Sequence, residues 1–583
     1  MKRVVGRDFL TTILKEAAPA DLRIVGRMLL HAAIVGVAAG LMGAAFFAAL
    51  EVVQRLILED LGGYRPLRAP GETFLAEATN LPHFRPWLLA LVPAVGALAS
   101  GIISGLAPET RGGGGDAMIN AFHRHNGVVR KRVTWVKALA SIFTLSTGGS
   151  GGREGPTLQI GGALGSTCGW LLRVSPAERR ILMVSGVAAG IAAVFRTPLG
   201  AALLAVEVLY RDDFESDALI PAVLASVVAY SVVISIFGQS TLFASPGHFP
   251  FIIKHLWLYG LLALMVSGLA ALFLSSLRTV QRVTASLPIP PWARPGLGGL
   301  AVGVFCVPIV VFVGWRVAQP GQGLGLLGGG YGAVQVAISG ASWLPIGWAG
   351  VALLSFLCVA KIVASSLTIG SGGSAGDFAP SLVIGGLFGG AFGRAAQMLL
   401  GDPRIDPGAF ALVAMGTFYG GIAHVPLSSL VLVCELAGSY DLLVPLMLAE
   451  GIAFVVLRRK SLYGAQVASQ RDSPVHQQRP THDVLRETRV GTVMRLMSVS
   501  GIPLAAREHS LRADVDLRTA AETMLTNKLR EIQVIDSDGR VIGLLDEADI
   551  SRFYLKMADD QQQQDQQPAP ATDTPGDPPS SGG

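Results

Sequence analysis

The sequence predicts an all-α polytopic membrane protein with a small α/β appendix at its C-terminal end. Three observations carry this. First, only 15% of the 583 residues are charged and 51% are hydrophobic, with a mean hydropathy of +0.51, against roughly 25% charged residues in soluble chains. Second, glycine reaches 71 residues, far too many for a soluble enzyme of ordinary composition and clustered in a few segments. Third, two segments about 220 residues apart repeat the same pattern. Cys168, Cys306, Cys358 and Cys434 lie singly in apolar stretches, so neither a disulfide framework nor a zinc site is expected.

No charged residue occurs between Arg27 and Glu51, a run that as a helix exceeds the roughly 30 Å of bilayer hydrocarbon. Comparable runs lie between Arg85 and Glu109, Lys254 and Arg278, Arg294 and Arg316, and Asp406 and Glu435, and each predicts a span. The first run is too long for the core of a cleaved signal peptide. Lys2, Arg3, Arg7, Lys15, Arg23 and Arg27 precede it, and Arg458, Arg459 and Lys460 follow the last run. The positive-inside rule therefore puts both termini in the cytoplasm of a multi-pass cell membrane protein. The net charge of +5 belongs to this topology, and no basic and aromatic platform for nucleic acid accompanies it.

Two apolar segments are poor simple spans. GGSGGREGPTLQIGGALG (148–165) and GSGGSAGDFAPSLVIGGLFGG (370–390) are broken by Gly, Pro and an acid, which membranes tolerate only where the backbone lines a cavity or is buried in protein. PTLQIGGALG (156–165) matches PSLVIGGLFG (380–389), and Pro198-Leu199 followed by Glu207 matches Pro426-Leu427 followed by Glu435. Two halves follow, 27–235 and 255–455, each holding a broken helix and then a PL(x)7E helix. Such halves build a site near the midplane from half-helix N-termini. A helix start offers free N–H groups and about half a positive charge, so it binds an anion without a cationic side chain. In SGGREGP (150–156) and GDFAP (376–380), glycine lets the backbone approach the ion and proline sits near the helix start.

Glu154 stands at such a start, where an intramembrane carboxylate is costly. It is expected to occupy the anion site and to withdraw when protonated; the competing reading is a cap or a partner for Arg153. Glu207 and Glu435 are read as structural acids bonded to neighbouring helix ends. Asp377 beside an anion site would repel the ligand, so its carboxylate is expected to point away with only its backbone N–H facing the ion.

Together these residues resemble the chloride channel (CLC) family: GREGP at 152–156, GDFAP at 376–380, APE at 107–109 with Gly112 to Gly115, and Lys460-Ser461-Leu462-Tyr463. The resemblance covers 27–470. It implies an inverted-repeat fold of tilted, broken helices, a homodimer in the lipid bilayer with one pathway per subunit, and chloride or another small anion as substrate. It implies that Glu154 is the external gate and Tyr463 the internal hydroxyl at the anion. Asp377 and Phe378 would offer backbone N–H groups, with Gly113, Gly114, Arg153 and Gly155 completing the anion-binding set. Two positions depart from the family. Gly113 stands where a serine hydroxyl usually contacts chloride, so a serine restored there is expected to tighten binding. Val208 follows Glu207 where proton-coupled members commonly carry a second acid, and valine carries no proton. This favours a passive or loosely proton-coupled pathway; the alternative is a strict chloride/proton antiporter, since Glu154 is retained and protons can still be a partner.

After a linker at 471–489, residues 490–557 read as an amphipathic segment (517–529), a strand (531–536), an SDGR turn, a second strand (541–546) and a short helix. They resemble one CBS module. Asp549 fits the ribose-binding acid, but Asp546 takes the position of the usual hydroxyl, which disfavours an adenine nucleotide. No cofactor or metal is expected. The 558–583 segment, with QQQQDQQ, lacks the residues for a core and is expected to be disordered, as the 1–26 segment is expected to lie outside the membrane body. HExxH and Walker motifs are absent from the sequence, leaving an enzyme without support. A CBS-regulated sensor without transport is the remaining alternative of a different class.

Overall fold

The computed structural model describes residues 19–72, 74–75, 82–239, 241–244, 248–249, 252–316, 319–477, 488–496, 509–527, 529–550 and 552–553. Lys2, Arg3, Arg7, Lys15 and the 558–583 segment lie outside them, as does most of the linker. Two units are defined, 1–473 and 474–583.

Among the described residues, sixteen main helices of the first unit fall into two sets of eight in the same order. The first set is α1 (Pro19–Gln54), α2 (Pro86–Ile103), α3 (Gly115–Arg124), α4 (Arg132–Ser146), α5 (Glu154–Leu171), α6 (Pro176–Phe195), α7 (Pro198–Glu207) and α8 (Ser216–Phe237). The second is α9 (Leu256–Ser286), α10 (Arg294–Arg316), α11 (Tyr331–Ser339), α12 (Trp348–Gly370), α13 (Phe378–Leu400), α14 (Pro407–Ala423), α15 (Pro426–Ala437) and α16 (Leu443–Leu457). Seven helices among the described residues are long and apolar enough to cross a membrane, and four further apolar helices are shorter. Trp87, Val95, Ile220, Trp315 and Val455 are exposed on the surface of this unit, as a hydrocarbon environment permits.

The two sets meet at the repeat itself. Gly152 N donates to Gly376 O at 2.8 Å and Gly376 N to Gly152 O at 2.7 Å, an antiparallel bridge between equivalent residues. Two equivalent segments paired this way are related by a local twofold, the relation that an inverted repeat requires. The side chains repeat the exchange: Ser141 Oγ meets Ser374 Oγ and Ser150 Oγ meets Ser365 Oγ, both at 2.9 Å. Lys137 Nζ reaches Thr110 O and Gly112 O (3.0 and 2.6 Å). Its counterpart Lys361 reaches Leu326 O and Gly328 O (3.3 and 2.8 Å). Each buried lysine thus ties down a glycine loop by donating to two of its backbone carbonyls.

The run between Asp406 and Glu435 is not one span. Pro426 opens a new helix, where its missing N–H costs nothing, and the chain turns at His424, which adopts a left-handed conformation (φ 57°), as Arg196 does before Pro198 (φ 59°). The break delivers α15 against α7, where the two PL(x)7E glutamates cap each other's helices. Glu207 accepts from Leu427 N (3.1 Å), Ser428 N (2.8 Å) and Ser428 Oγ. Glu435 accepts from Leu199 N (3.2 Å) and Gly200 N (2.8 Å).

The second unit contains a four-stranded sheet of β1 (Arg495–Leu496), β2 (Ser510–Arg512), β3 (Glu531–Ile535) and β4 (Val541–Asp546), in the order β1-β4-β3-β2. Helix α17 (Leu517–Thr526) packs on it through Leu517, Ala520 and Met524, against Ile532, Val534 and Leu545. Asp516 caps α17 by accepting from Thr519 N and Oγ1, both at 2.9 Å. These bonds hold its carboxyl below the ordinary aspartate value.

Replacing Glu435 with Ala strips the acceptor from two N–H groups at the start of α7. A loss of about 1–3 kcal/mol is expected, measured as a lower midpoint of thermal unfolding in detergent. An unchanged midpoint would mean that the cap carries no load.

Candidate anion pathway

Helices α5 and α13 begin at Glu154 and Phe378, and neither start is capped by a side chain. Pro156 and Pro380 fall at the third helical position rather than the first. Having no N–H themselves, they leave Glu154 and Gly155 on one side, and Phe378 and Ala379 on the other, as the donors nearest the break. The glycine bridge holds these two starts face to face.

Between them lies a small cavity lined by Gly115, Glu154, Gly155, Asp377, Phe378, Tyr419 and Tyr463, with Leu158, Ile191, Phe195 and Leu204 as apolar wall. Phe378 stacks edge-on to Tyr419 (4.3 Å between centroids) and tilts against Phe195 (4.9 Å). The cavity therefore combines backbone donors, two phenol hydroxyls and hydrocarbon, without a lysine or arginine in its lining. Such a site strips water from an anion while holding it weakly enough to let it leave.

Glu154 is 2% exposed. Its carboxylate accepts from the Tyr331 hydroxyl and is turned to the backbone N–H groups of Glu154 itself and Ala379. Oε2 has no partner of good hydrogen-bond geometry. The side chain thus lies with its charge toward both helix starts, the place a free anion would take. It does not pair with Arg153. That guanidinium faces Glu51 (3.7 Å) and lies over the Phe47 ring (4.6 Å to the centroid), and it is absent from the cavity lining. Arg153 therefore departs from the anion-binding set: Glu51 draws it away into a cluster in which Arg68 joins Glu59 (2.6 Å) and Glu51 (3.5 Å).

Asp377 also differs from expectation. Its carboxylate does not turn away: Tyr463 Oη donates to Oδ1 at 3.2 Å. A Cβ placed on Gly113 would fall 2.7 Å from Oδ2, so the space for a serine at 113 is filled by this carboxylate. Tyr463 Oη lies 3.4 Å from Tyr419 Oη. Gly114 does not line the cavity; with φ 92° it forms the start of α3, which brings Gly115 against the Tyr463 ring. Val208 is buried at the end of α7, and its carbonyl accepts from Gln466 Nε2 at 2.9 Å. Asp549 Oδ1 accepts from Arg495 Nε (3.0 Å) and Nη2 (2.8 Å), so an arginine, not an open pocket, faces the candidate ribose acid.

Tyr331 is the functional residue that the sequence reading missed. It opens α11 after Gly330, whose φ of 92° equals that of Gly114. Gly112 and Gly328 agree as well, at 68° and 69°. GGG at 112–114 and GGG at 328–330 are thus the same loop in the two halves. That glycine triplet was the available signal, and Tyr331 occupies the place of Gly115.

Inverted halves, opposed uncapped helix starts and a buried carboxylate between them define a membrane anion-transport protein. The model of the family described as "Voltage gated chloride channel" matches residues 95–458, and that of the CBS domain matches 507–556. The chain belongs to the voltage-gated chloride channel (CLC) family. Curated relatives include an H(+)/Cl(-) exchange transporter ClcA of Vibrio vulnificus (strain YJ016), 31% identical over 73% of this chain and 85% of that protein. Another, of the same name, is from Yersinia pestis bv. Antiqua (strain Angola), 28% identical over 76% and 87%. Among solved structures, a slow cyanobacterial Cl-/H+ antiporter aligns with a TM-score of 0.61 at 24% identity, covering 74% of this chain and 94% of that one. A CLC-type fluoride/proton antiporter aligns with a TM-score of 0.61 at 20% identity, covering 78% and 100%. At these identities the structures establish the fold.

Tyr331→Phe removes the hydroxyl donor that holds Glu154 in place. Hydrogen bonds to charged groups contribute about 1.5–3 kcal/mol, so chloride efflux from liposomes at neutral pH is expected to rise several-fold. Unchanged efflux would remove Tyr331 from control of the gate.

Proposed function

We propose that this protein exchanges chloride for protons, with Glu154 as the group that both ions use in turn. The observation that carries this reading is the position of the Glu154 carboxylate, buried between two uncapped helix starts and turned to the Ala379 amide. Ionised, it competes with chloride for those N–H groups. Protonated, it loses its attraction for them and yields the place, so each departure of the side chain carries a proton and each return displaces an anion. The names of the ClcA relatives, H(+)/Cl(-) exchange transporters, support the coupled reading over the passive one that Val208 favours. Valine closes position 208 to protons, but it does not remove the exchangeable proton from Glu154.

Both termini are assigned to the cytoplasm on the charge pattern, which puts the Tyr463 end of the pathway inside and the Tyr331 end outside. A homodimer with one pathway per subunit is the assembly that the family resemblance implies. The CBS unit is assigned a structural rather than a nucleotide-binding role, because Arg495 occupies the Asp549 carboxylate.

The test is chloride efflux from liposomes holding the full chain, with external pH recorded simultaneously. A chloride gradient should drive protons uphill, and Glu154→Gln should abolish proton movement and flatten the pH dependence of anion flux. Chloride flux without proton movement in the wild type would establish the passive reading instead. Proton movement retained in Glu154→Gln would remove Glu154 from the shared position.

A further inference from the structure

The buried carboxylate at the other end of the cavity is not explained by Glu154 gating. Asp377 is 8% exposed, and its oxygens lie between the Tyr463 hydroxyl, 3.2 Å from Oδ1, and the bare Cα of Gly113. A Cβ at Gly113 would stand 2.7 Å from Oδ2 and 3.5 Å from Oδ1. Gly113 and Asp377 are therefore complementary: the side chain missing from one is the room used by the other. The result is not neutral, because a hydroxyl that would donate to an anion has been replaced by a group that is itself an anion. The Tyr463 hydroxyl, the donor that chloride would need here, is committed to that carboxylate.

The surroundings leave the charge on Asp377 poorly compensated. From α4, Lys137 acts on it electrostatically, but the Lys137 ammonium is bonded to Thr110 O and Gly112 O. From α14 and the chain after α16 come the phenols Tyr419 and Tyr463, and from α5 comes Glu154, which lines the same cavity. From the start of α3 comes Asp116, another acid. Asp116 is exposed, with Oδ1 accepting from Ala465 N at 2.8 Å, so an exposed carboxylate acts electrostatically on the buried one. A buried carboxylate that shares its cavity with Glu154 and lies in the field of Asp116 is relieved by taking up a proton, and Asp116 is itself solvent-exposed.

We propose that Asp377 is a second protonatable gate. Ionised, its carboxylate fills the anion position beside Tyr463 and keeps chloride out; protonated, it frees the Tyr463 hydroxyl and admits the ion. It thereby supplies at the Tyr463 end the proton-accepting group that Val208 lacks. This rests on the reading of the cavity as the anion pathway and extends it from one titrating group to two. No bond is made or broken beyond the transfer of the proton: it comes from solvent by way of the Asp116 side, resides on Asp377 while chloride is bound, and leaves as the carboxylate returns.

The experiment is chloride titration by calorimetry of the purified full chain carrying Glu154→Gln, at acidic and alkaline pH in buffers of different ionisation heat. With Glu154 silenced, chloride affinity should still rise as pH falls, by up to about tenfold per pH unit, with about one proton taken up per ion bound. Adding Asp377→Asn should make binding tighter at alkaline pH and independent of pH. A pH-independent affinity in Glu154→Gln overturns the proposal without any Asp377 variant, so it stays falsifiable if the double variant does not fold. Unchanged pH dependence after Asp377→Asn overturns it as well. These outcomes are separate from those of the exchange reading. Wild-type flux without proton movement defeats chloride/proton exchange, whereas intact exchange in Asp377→Asn alone defeats only the second gate.

Discussion

Two hydrogen bonds, Gly152 N to Gly376 O and Gly376 N to Gly152 O, fix the geometry on which the anion pathway depends. They join equivalent residues of the two halves and lie immediately before the two helix starts that face the cavity. Only glycine suits this contact: an added Cβ on Gly376 would stand 2.6 Å from Gly155 N. Because the bridge is short, Glu154 and Phe378 begin their helices close together, and the partial positive charges of both starts act on the same small volume. A site of this kind attracts an anion without a fixed cation, which fits an ion that must be released as well as bound.

The rest of the membrane unit holds the bridge in place. Lys137 and Lys361 anchor matching glycine loops, and the exchanged serine pairs tie α4 to the second half and α12 to the first. Glu207 and Glu435 cap each other's helices. The lysines and glutamates satisfy backbone groups that hydrocarbon would leave unpaired, at a cost of several kcal/mol apiece, and the serine pairs satisfy each other's hydroxyls. The charges inside the unit are in this sense mostly architectural. Glu154 and Asp377 are the exceptions, because their carboxylates face the cavity where the anion would lie.

Much of this was legible in the sequence, and for physical reasons. Membrane depth forbids unsatisfied backbone, so Gly and Pro inside apolar segments announce a cavity, and the repeated PTLQIGGALG and PSLVIGGLFG motifs announce two opposed ones. What stayed hidden depended on distance or on missing volume. The glycine triplets at 112–114 and 328–330 are separated by a different interval from the main repeat, because α12 begins further upstream of its lysine than α4 does, and so the shared loop was not recognised. The Tyr331 bond to Glu154 spans 177 residues and leaves no local pattern. Asp377 was expected to turn from the anion on electrostatic grounds, a sound argument that failed because the void at Gly113 is the space available to it. The single apolar run at 406–435 concealed a break, since His424 gives no composition signal and only Pro426 marks it.

The central claim is that the Glu154 carboxylate stands in for a transported anion between the two helix starts. Its most direct test is an experimental structure of the protein in bromide, located by anomalous scattering, for the wild type and for Glu154→Gln. The account requires a bromide peak at the N–H groups of Gly155 and Ala379 in the variant and none there in the wild type at neutral pH. A peak at that place in the wild type with the Glu154 side chain unmoved, or no peak in the variant, would contradict it.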